Sequence, residues 1–447
     1  MRISSQSMPV AKQSSKLRYL VLGMLFVVTA INYADRATLS IAGSALSADL
    51  GIDAVTMGYL FSAFGWSYVI AQVPGGMLLD RFGSRNVYFV SIVFWSIFTL
   101  LQGAVNLISL STIATVYILF ALRFLVGFAE APSFPANSRV VTSWFPAKER
   151  GTASAIFNSA QYFSTVIFAP IMAWMVHHYG WPSVFYFMGG LGVIVGFVWL
   201  KVIYEPANHP KISESELAYI ENRNINSQPD ELVNGKSSVS KWTQIKQLLS
   251  SRMLLGIFIG QYAITTLTYF FLTWFPVYLV KDRGFSILNA GIVASLPAIC
   301  GFLGGILGGY ISDSLIKRGN TISLSRKVPI VVGMLLSTSI VICNYVDSAA
   351  IVVGVMSLAF FGKGIGALGW AVVSDTSPKE GAGLSAGLFN TFGNTAGITT
   401  PIVIGYLIQG TGSFNAALGF VAANAVLAIV CYVIIVGQIS RFAFKKQ

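Results

Sequence analysis

Five ionisable side chains stand inside stretches that are otherwise apolar: Asp35, Arg36, Arg123, Glu130 and Lys363. A charge at the centre of a hydrocarbon layer costs ~2.5–3.5 kcal/mol on insertion scales, so each is a candidate for function. Arg123 and Glu130 lie seven apart, two helical turns, and share a face with Gly127. Lys363, Ala367 and Trp370 share another at i, i+4 and i+7. Two carboxylates cannot neutralise three cations, and an anionic ligand would absorb the excess. The competing reading is helix glue, with Asp35 paired to Arg123 and Glu130 to Arg36 or Arg123. For Lys363 that reading is a nearby carboxylate or a snorkel to the membrane surface. Tyr33, Tyr68, Gln72, Asn158, Gln161, Gln261, Asn390, Asn394 and Trp370 add buried phenols, amides and an indole. Any one of them could serve as a helix-packing bond. Taken with the excess positive charge, they suit a polyhydroxylated acid.

The elements that must hold these residues are membrane helices. The chain of 447 residues is 55% apolar and 10% charged, outside the range of soluble domains. Twelve apolar stretches of bilayer-spanning length are expected at 19–45, 55–79, 87–106, 112–138, 151–177, 182–203, 252–280, 288–312, 328–346, 350–374, 382–409 and 414–437. The expected fold is an all-α integral membrane protein with two parallel six-helix halves, 19–203 and 252–437. A tail 1–18, a linker 204–251 and a tail 438–447 complete the chain. Within the linker, Ser213 with Glu216 three positions on predicts a short capped helix to Asn222, and the remainder reads as flexible.

Charge sets the orientation. Of the 29 Lys and Arg, three are the intramembrane cations, and only Lys281 and Arg283 fall in connections on the side opposite the linker. Positive charge stays in the cytoplasm, so both termini are expected there. The formal charge of +12 is then topology rather than a nucleic-acid surface. The first 18 residues are polar and the following apolar run is too long for a cleavable signal, so the first span is expected to remain.

Gly76, Asp80, Arg81, Gly83 and Arg85 form a turn after the second span, with Gly76 suited to close helix approach and Gly83 to a tight turn. It reads either as a cytoplasmic latch for an outward-open state or as a basic turn that only fixes topology. Pro132 and Pro135 after Glu130, and Gly362, Gly364, Gly366 and Gly369 around Lys363, predict bends or close packing beside the charged residues. His177, His178 and His209 lack metal-ligand spacing, and Cys300, Cys343 and Cys431 read as buried thiols. With no phosphate loop or nucleophile elbow either, no enzyme activity, metal or cofactor is expected, protons alone serving as coupling ion.

The halves repeat. Gly58, Ser62, Gly76, Asp80 and Arg85 return as Gly291, Ser295, Gly309, Asp313 and Arg318 at an offset of 233, Gly151 and Asn158 as Gly383 and Asn390 at 232, and Pro170 as Pro401 at 231. Parallel repeats facing each other across a cavity are a transporter architecture.

The segments Asn32-Tyr33-Ala34-Asp35-Arg36-Ala37, Phe61-Ser62-Ala63-Phe64, Arg123 to Pro132, Asn158-Ser159-Ala160-Gln161, Phe271 to Pro276 and Phe361 to Trp370 carry a resemblance over essentially the whole chain. The chain resembles the anion:cation symporter branch of the major facilitator superfamily, and within it bacterial glucarate/galactarate permeases. The resemblance implies proton-coupled uptake of sugar acids across a bacterial inner membrane. By the same likeness Asp35 and Glu130 match proton-carrying carboxylates, Arg123 a residue that biases their protonation, and Arg36 a carboxylate-binding arginine. Tyr33, Tyr68, Gln161, Gln261, Trp370 and Asn390 match positions lining the sugar-acid site. Lys363 departs from the galactonate permeases, which carry a neutral polar residue there; Ala367 and Gly369 depart from hydroxyls. If all five charged residues share one cavity, the empty site and the site loaded with two protons and a dianion carry equal charge, which would enforce coupling. A small organic anion and the lipid bilayer are the expected partners, nucleic acid is not, and a monomer is expected. A proton-independent antiporter or facilitator, a symporter preferring a monocarboxylate such as galactonate, and a membrane sensor are the alternatives.

Overall fold

The computed structural model describes residues 17–108, 110–226 and 240–444. Most of the 1–18 tail, residues 227–239 of the linker and the last three residues of the C-terminal tail lie outside them. All regular structure among the described residues is helical. Eleven helical segments are long and apolar enough to cross a membrane, beginning with Leu17–Leu50 and ending with Asn415–Ile435. The twelfth is Ala382–Thr411, 30 residues long, whose Asn and Thr content lowers its hydropathy below the others. These are the twelve spans of the sequence, with ends one to several residues longer at most positions. Many begin at a side-chain cap, as where Asp53 Oδ1 accepts from Thr56 N at 2.7 Å ahead of the second span, Ala54–Phe82.

Four spans are interrupted: the eighth between Ile287–Val293 and Ser295–Lys317, and three others, of which the fourth and tenth break beside a candidate residue. The fourth runs Thr112–Glu130, breaks at Ala131 and Pro132, and resumes as Ser133–Trp144. The seventh, Arg252–Thr273, breaks at Trp274 ahead of Pro276 and continues as Phe275–Lys281. The tenth, Ala349–Ile365, stops at Gly366 and restarts at Gly369–Thr376. Proline removes a donor and glycine tolerates the turn, so the expected bends at Pro132 and beside Lys363 are present.

The glycines set how closely helices approach. A Cβ on Gly304 or Gly308 of the eighth span would collide with the carbonyl oxygens of Phe361 and Ile365, and one on Gly364 with that of Gly301. Gly362 and Gly333 of the ninth span, Ile322–Ser337, stand backbone to backbone in the same way. Lys363 is thus carried on a helix locked between two neighbours. Gly364→Leu is expected to destabilise the protein by about 3 kcal/mol through overpacking, read as a lowered Tm in detergent.

The expectation for Gly76 is corrected: a Cβ there meets nothing within 4 Å, whereas one on Gly75 would lie 3.1 Å from the Pro132 ring. The second half repeats the shift, with Gly309 open and Gly308 packed. In both halves the helix register aims the earlier glycine at the neighbouring span.

The described parts of the linker hold more helix than expected. Glu214–Asn226 forms the predicted helix, with Glu216 N donating to Ser213 Oγ at 3.2 Å. A second helix, Lys241–Ser250, stands where the sequence predicts flexible chain. Its Leu248 is fully buried against the apolar core shared with Leu254 of the seventh span, and that burial stabilises a segment too short to be helical alone.

The repeat reappears as geometry. A Cβ on Gly58 would stand 2.6 Å from the carbonyl oxygen of Pro401, joining spans two and eleven. Its counterpart Gly291 closes on Ala173 and Ala169 of the fifth span, Ala147–Tyr179, beside Pro170, the counterpart of Pro401. Ser40 Oγ donates to Thr273 O at 2.6 Å, Lys281 Nζ to Ser47 Oγ at 2.7 Å, and Val55 N to Gln409 Oε1 at 3.3 Å. All of these cross-half contacts lie toward the face away from the linker. The cross-half hydrogen bond nearest the linker runs from Asn390 Nδ2 to Gln72 Oε1 at 3.0 Å, about a third of the way in from the linker-side helix ends. Closer to the linker, the hydrogen bonds and ion pairs described stay within one half. The protein is closed on its far face and parted on the linker face.

Candidate functional site

The first span places Asp35 and Arg36 at mid-membrane, and the fourth brings Arg123 and Glu130 against them. Gly127 lets the fourth span close on the second: a Cβ there would strike Phe64 O and Ser67 Oγ. Arg36 Nε donates to Glu130 Oε2 at 2.9 Å, with Glu130 fully buried. The pair is single-pronged, leaving Glu130 Oε1 and Arg36 Nη2 buried without partners. The Arg36 guanidinium is stacked among Tyr33, Phe64 and Tyr68, each ring centroid 4.7–4.9 Å away. Arg123 reaches backbone instead of a carboxylate, donating to Asp35 O at 3.3 Å and Arg36 O at 2.5 Å. Asp35 Oδ2 accepts from Thr99 Oγ1 at 2.9 Å. The Glu130–Arg36 pairing of the glue reading is therefore present, and a direct Asp35–Arg123 ion pair is not.

The single shared cavity for all five charges is corrected. A cavity between the halves is lined by Tyr33, Gln161, Tyr162, Thr165, Phe271 and Lys363 among others, and its wall includes none of Asp35, Arg36, Arg123 or Glu130. Those four form a compact cluster inside the first half because each finds its partners there. Tyr33 joins the two regions, one face on Arg36 and an edge in the cavity.

Lys363 stands alone on the opposite wall. It is 7% exposed, and among the described residues no carboxylate lies within ion-pair distance. Its Nζ lies 5.1 Å from the Phe360 ring centroid and 6.0 Å from that of Tyr162. Neither alternative expected for it, a carboxylate partner or an escape to the membrane surface, is seen. A buried ammonium held only by aromatic faces is under-compensated, so the cavity favours an anion.

The remaining candidates divide. Gln161 lines the cavity, its Nε2 donating to Asn158 O at 3.1 Å. Tyr68 stacks on Arg36 and lies outside the cavity wall. Gln261 donates to Thr265 Oγ1 at 3.1 Å beside Gly369 and Gly393. Asn390 serves the cross-half bridge, extended by Asn394 Nδ2 to Asn390 Oδ1 at 3.0 Å and Tyr269 to Asn394 at 3.2 Å. Trp370, 55% exposed, faces a separate linker-side pocket. The helix break at 366–368 turns it away from Lys363, which the i+7 spacing did not foresee. Sequence reasoning missed Tyr162, Thr165 and Phe271 as wall residues. Thr165 sits at i+4 from Gln161, a signal that was available.

On the linker face Asp80 pairs with Arg139 at 2.7 Å, and both belong to the first half. Gly83 turns with φ of +77°, as the turn required. Arg81 lies over Phe82 at 5.2 Å, and Arg85 donates to Leu200 O at 2.7 Å while lying 4.0 Å over Tyr204. Asp313 in the second half meets Arg326 at 3.6 Å, and Arg326 also holds Asp375 at 2.8 Å. Nearby, burial beside Trp144 and Tyr204 pushes the His209 imidazole below its ordinary pKa. Among the described residues no group of three His, Cys, Asp or Glu could hold a metal.

The chain is 63% identical over 439 residues to the probable galactarate/D-glucarate transporter GudP of Bacillus subtilis (strain 168), covering 98% of this chain and 96% of that one. It is 59% identical over 444 residues to the protein of the same name from Escherichia coli (strain K12), covering 99% and 98%. Among solved structures, a bacterial homolog of the human lysosomal transporter Spinster, in an inward-facing and occupied conformation, superposes with a TM-score of 0.70 at 15% identity, covering 94% of this chain and 96% of that one. Residues 25–325 match the model of the Major Facilitator Superfamily. With twelve spans in two repeated halves, parted on the linker face around a buried cation, the chain belongs to the Major Facilitator Superfamily.

Proposed function

We propose that this multi-pass membrane protein imports the dicarboxylates galactarate and D-glucarate across a bacterial inner membrane, coupled to protons, by alternating access. The observation that carries the reading is Lys363, a buried cation without an acidic partner, facing Tyr33 and Gln161 across the cavity. A sugar diacid places one carboxylate on Lys363 and aims the other past Tyr33 at Arg36. The names of the 63% and 59% identical relatives support the same substrate class.

Coupling follows from competition for Arg36. While Glu130 is ionised it occupies Arg36 Nε, and the spare Arg36 Nη2 and Glu130 Oε1 mark the pair as half-made. A proton on Glu130 removes the attraction, and the freed guanidinium accepts the substrate carboxylate in a two-pronged contact. Asp35 takes a second proton, with Thr99 and the backbone-anchored Arg123 tuning when it does so. The linker face is the cytoplasm, with both termini on it, and the parted state is the one that releases cargo inward. Closure on that side re-forms contacts around the Asp80 turn, whose latch role belongs to the outward-open state.

The test is uptake of labelled galactarate, D-glucarate and galactonate into proteoliposomes with and without an inwardly directed proton gradient. Gradient-stimulated accumulation of the two diacids, with galactonate weak, is expected. Accumulation indifferent to the gradient would replace the symporter by an antiporter or facilitator, and a preference for galactonate would overturn the role of Lys363.

A further inference from the structure

A second pocket opens where the tenth and eleventh spans reach the linker face, apart from the cavity at Lys363. Trp370, Ser374, Ser377, Ala382, Ala386 and Arg441 line it. Trp370 and Ser374 stand at i and i+4 on one helical face, and Ser377 follows as the extended residue that ends the helix. Ala386 and Ala382 lie one and two turns before Asn390 on the same face of the eleventh span, which carries the cross-half bond to Gln72. One wall is the half-exposed indole of Trp370, braced edge-on by Phe389 at 5.0 Å.

Its mouth carries an arginine from outside the helical bundle. The chain after the twelfth span folds back, and Phe442 N donates to Thr376 O at 2.9 Å. The Phe444 ring packs on Gly381, where a Cβ would lie 2.7 Å from it. These two anchors hold Arg441 at the pocket, and among the described residues its guanidinium has no ion pair or hydrogen bond. Ser377 is 6% exposed, and its Oγ has no hydrogen-bond partner. A spare guanidinium, an unpartnered buried hydroxyl and an indole face form a set suited to a carboxylate on a short hydroxylated chain.

We propose that this pocket is a release-side subsite for the carboxylate of the transported sugar acid. Arg441 draws the anion off Lys363 toward the linker face, Ser377 Oγ donates to the same carboxylate, and Trp370 supports the carbon chain. The inference rests on the sugar-acid reading above and adds to it a place where cargo pauses outside the central cavity.

Counterflow of labelled galactarate in membrane vesicles of defined sidedness tests it. Arg441→Gln is expected to raise the KM measured from the linker side about tenfold, the loss of one charge-assisted contact, with the far-side KM within about twofold. Ser377→Ala should raise the linker-side KM about threefold, and Arg441→Lys should recover part of the loss because it keeps the charge without the fork. Equal KM changes on both sides, or none in either variant, overturn the subsite. If Arg441→Gln does not reach the membrane, the Ser377→Ala result decides alone. Failure of the unsubstituted protein to exchange galactarate or D-glucarate overturns the transport reading and this inference with it. Exchange without side-specific effects overturns the subsite only.

Discussion

Lys363→Asn raises the KM for galactarate and D-glucarate by about 10–100-fold, the equivalent of a charge-assisted hydrogen bond of about 1.5–3 kcal/mol. The side chain is buried in the cavity wall with two aromatic faces and no carboxylate near it, so its charge has nothing to neutralise but cargo. Galactonate, with a single carboxylate directed to Arg36, changes far less, and the selectivity ratio between diacid and monoacid therefore falls. Initial rates of uptake over a range of substrate concentrations provide the measurement. A diacid KM equal to that of the unsubstituted protein would remove Lys363 from the site. Because backbone contacts at Gly362 and Gly364 hold the helix on both sides, the substitution is expected to leave Tm nearly unchanged.

Glu130→Gln abolishes accumulation against a gradient while counterflow persists. Its carboxylate is fully buried, and its one described side-chain bond is to Arg36 Nε. A glutamine reproduces the neutral state permanently, so Arg36 stays available to substrate and the carrier cycles loaded without carrying a proton. Asp35→Asn should behave similarly, with a milder effect on affinity because Asp35 bonds Thr99 and not the substrate-facing arginine. Preloaded proteoliposomes separate the two activities: exchange of labelled for unlabelled galactarate continues, and uptake driven by a proton gradient stops. Persistent gradient-driven uptake in Glu130→Gln would assign coupling elsewhere. Loss of both activities together would mean that Glu130 is structural.

Both predictions depend on distinguishing residues that share a charge type but not an environment. The sequence reveals that Asp35, Arg36, Arg123, Glu130 and Lys363 are anomalous, because charges inside spans of membrane length are costly wherever they point. It also reveals the twelve spans, the repeat at an offset near 233, and the linker helix capped by Ser213. Those features follow from local composition and spacing, which do not need a partner to be recognised. The bends at Pro132 and Gly366 are legible for the same reason, since both are backbone properties of the residue itself.

Partnership was not legible, because it depends on which helices are neighbours and at what register. Spacing of i+7 placed Trp370 with Lys363, but the interruption at 366–368 rotates the following turn and sends the indole to the linker-side pocket. Gly76 and Gly309 matched a repeated pattern, yet packing uses Gly75 and Gly308, one residue earlier. The expected common cavity is absent because Arg36 and Glu130 pair, single-pronged, within the first half, with Arg123 bonded to the backbone beside them. Composition and spacing alone reveal a membrane-spanning duplicated bundle carrying one more cation than its anions can neutralise. That the uncompensated cation is Lys363 emerges in the folded protein, because ion pairing is settled by distances between helices that lie far apart in the chain.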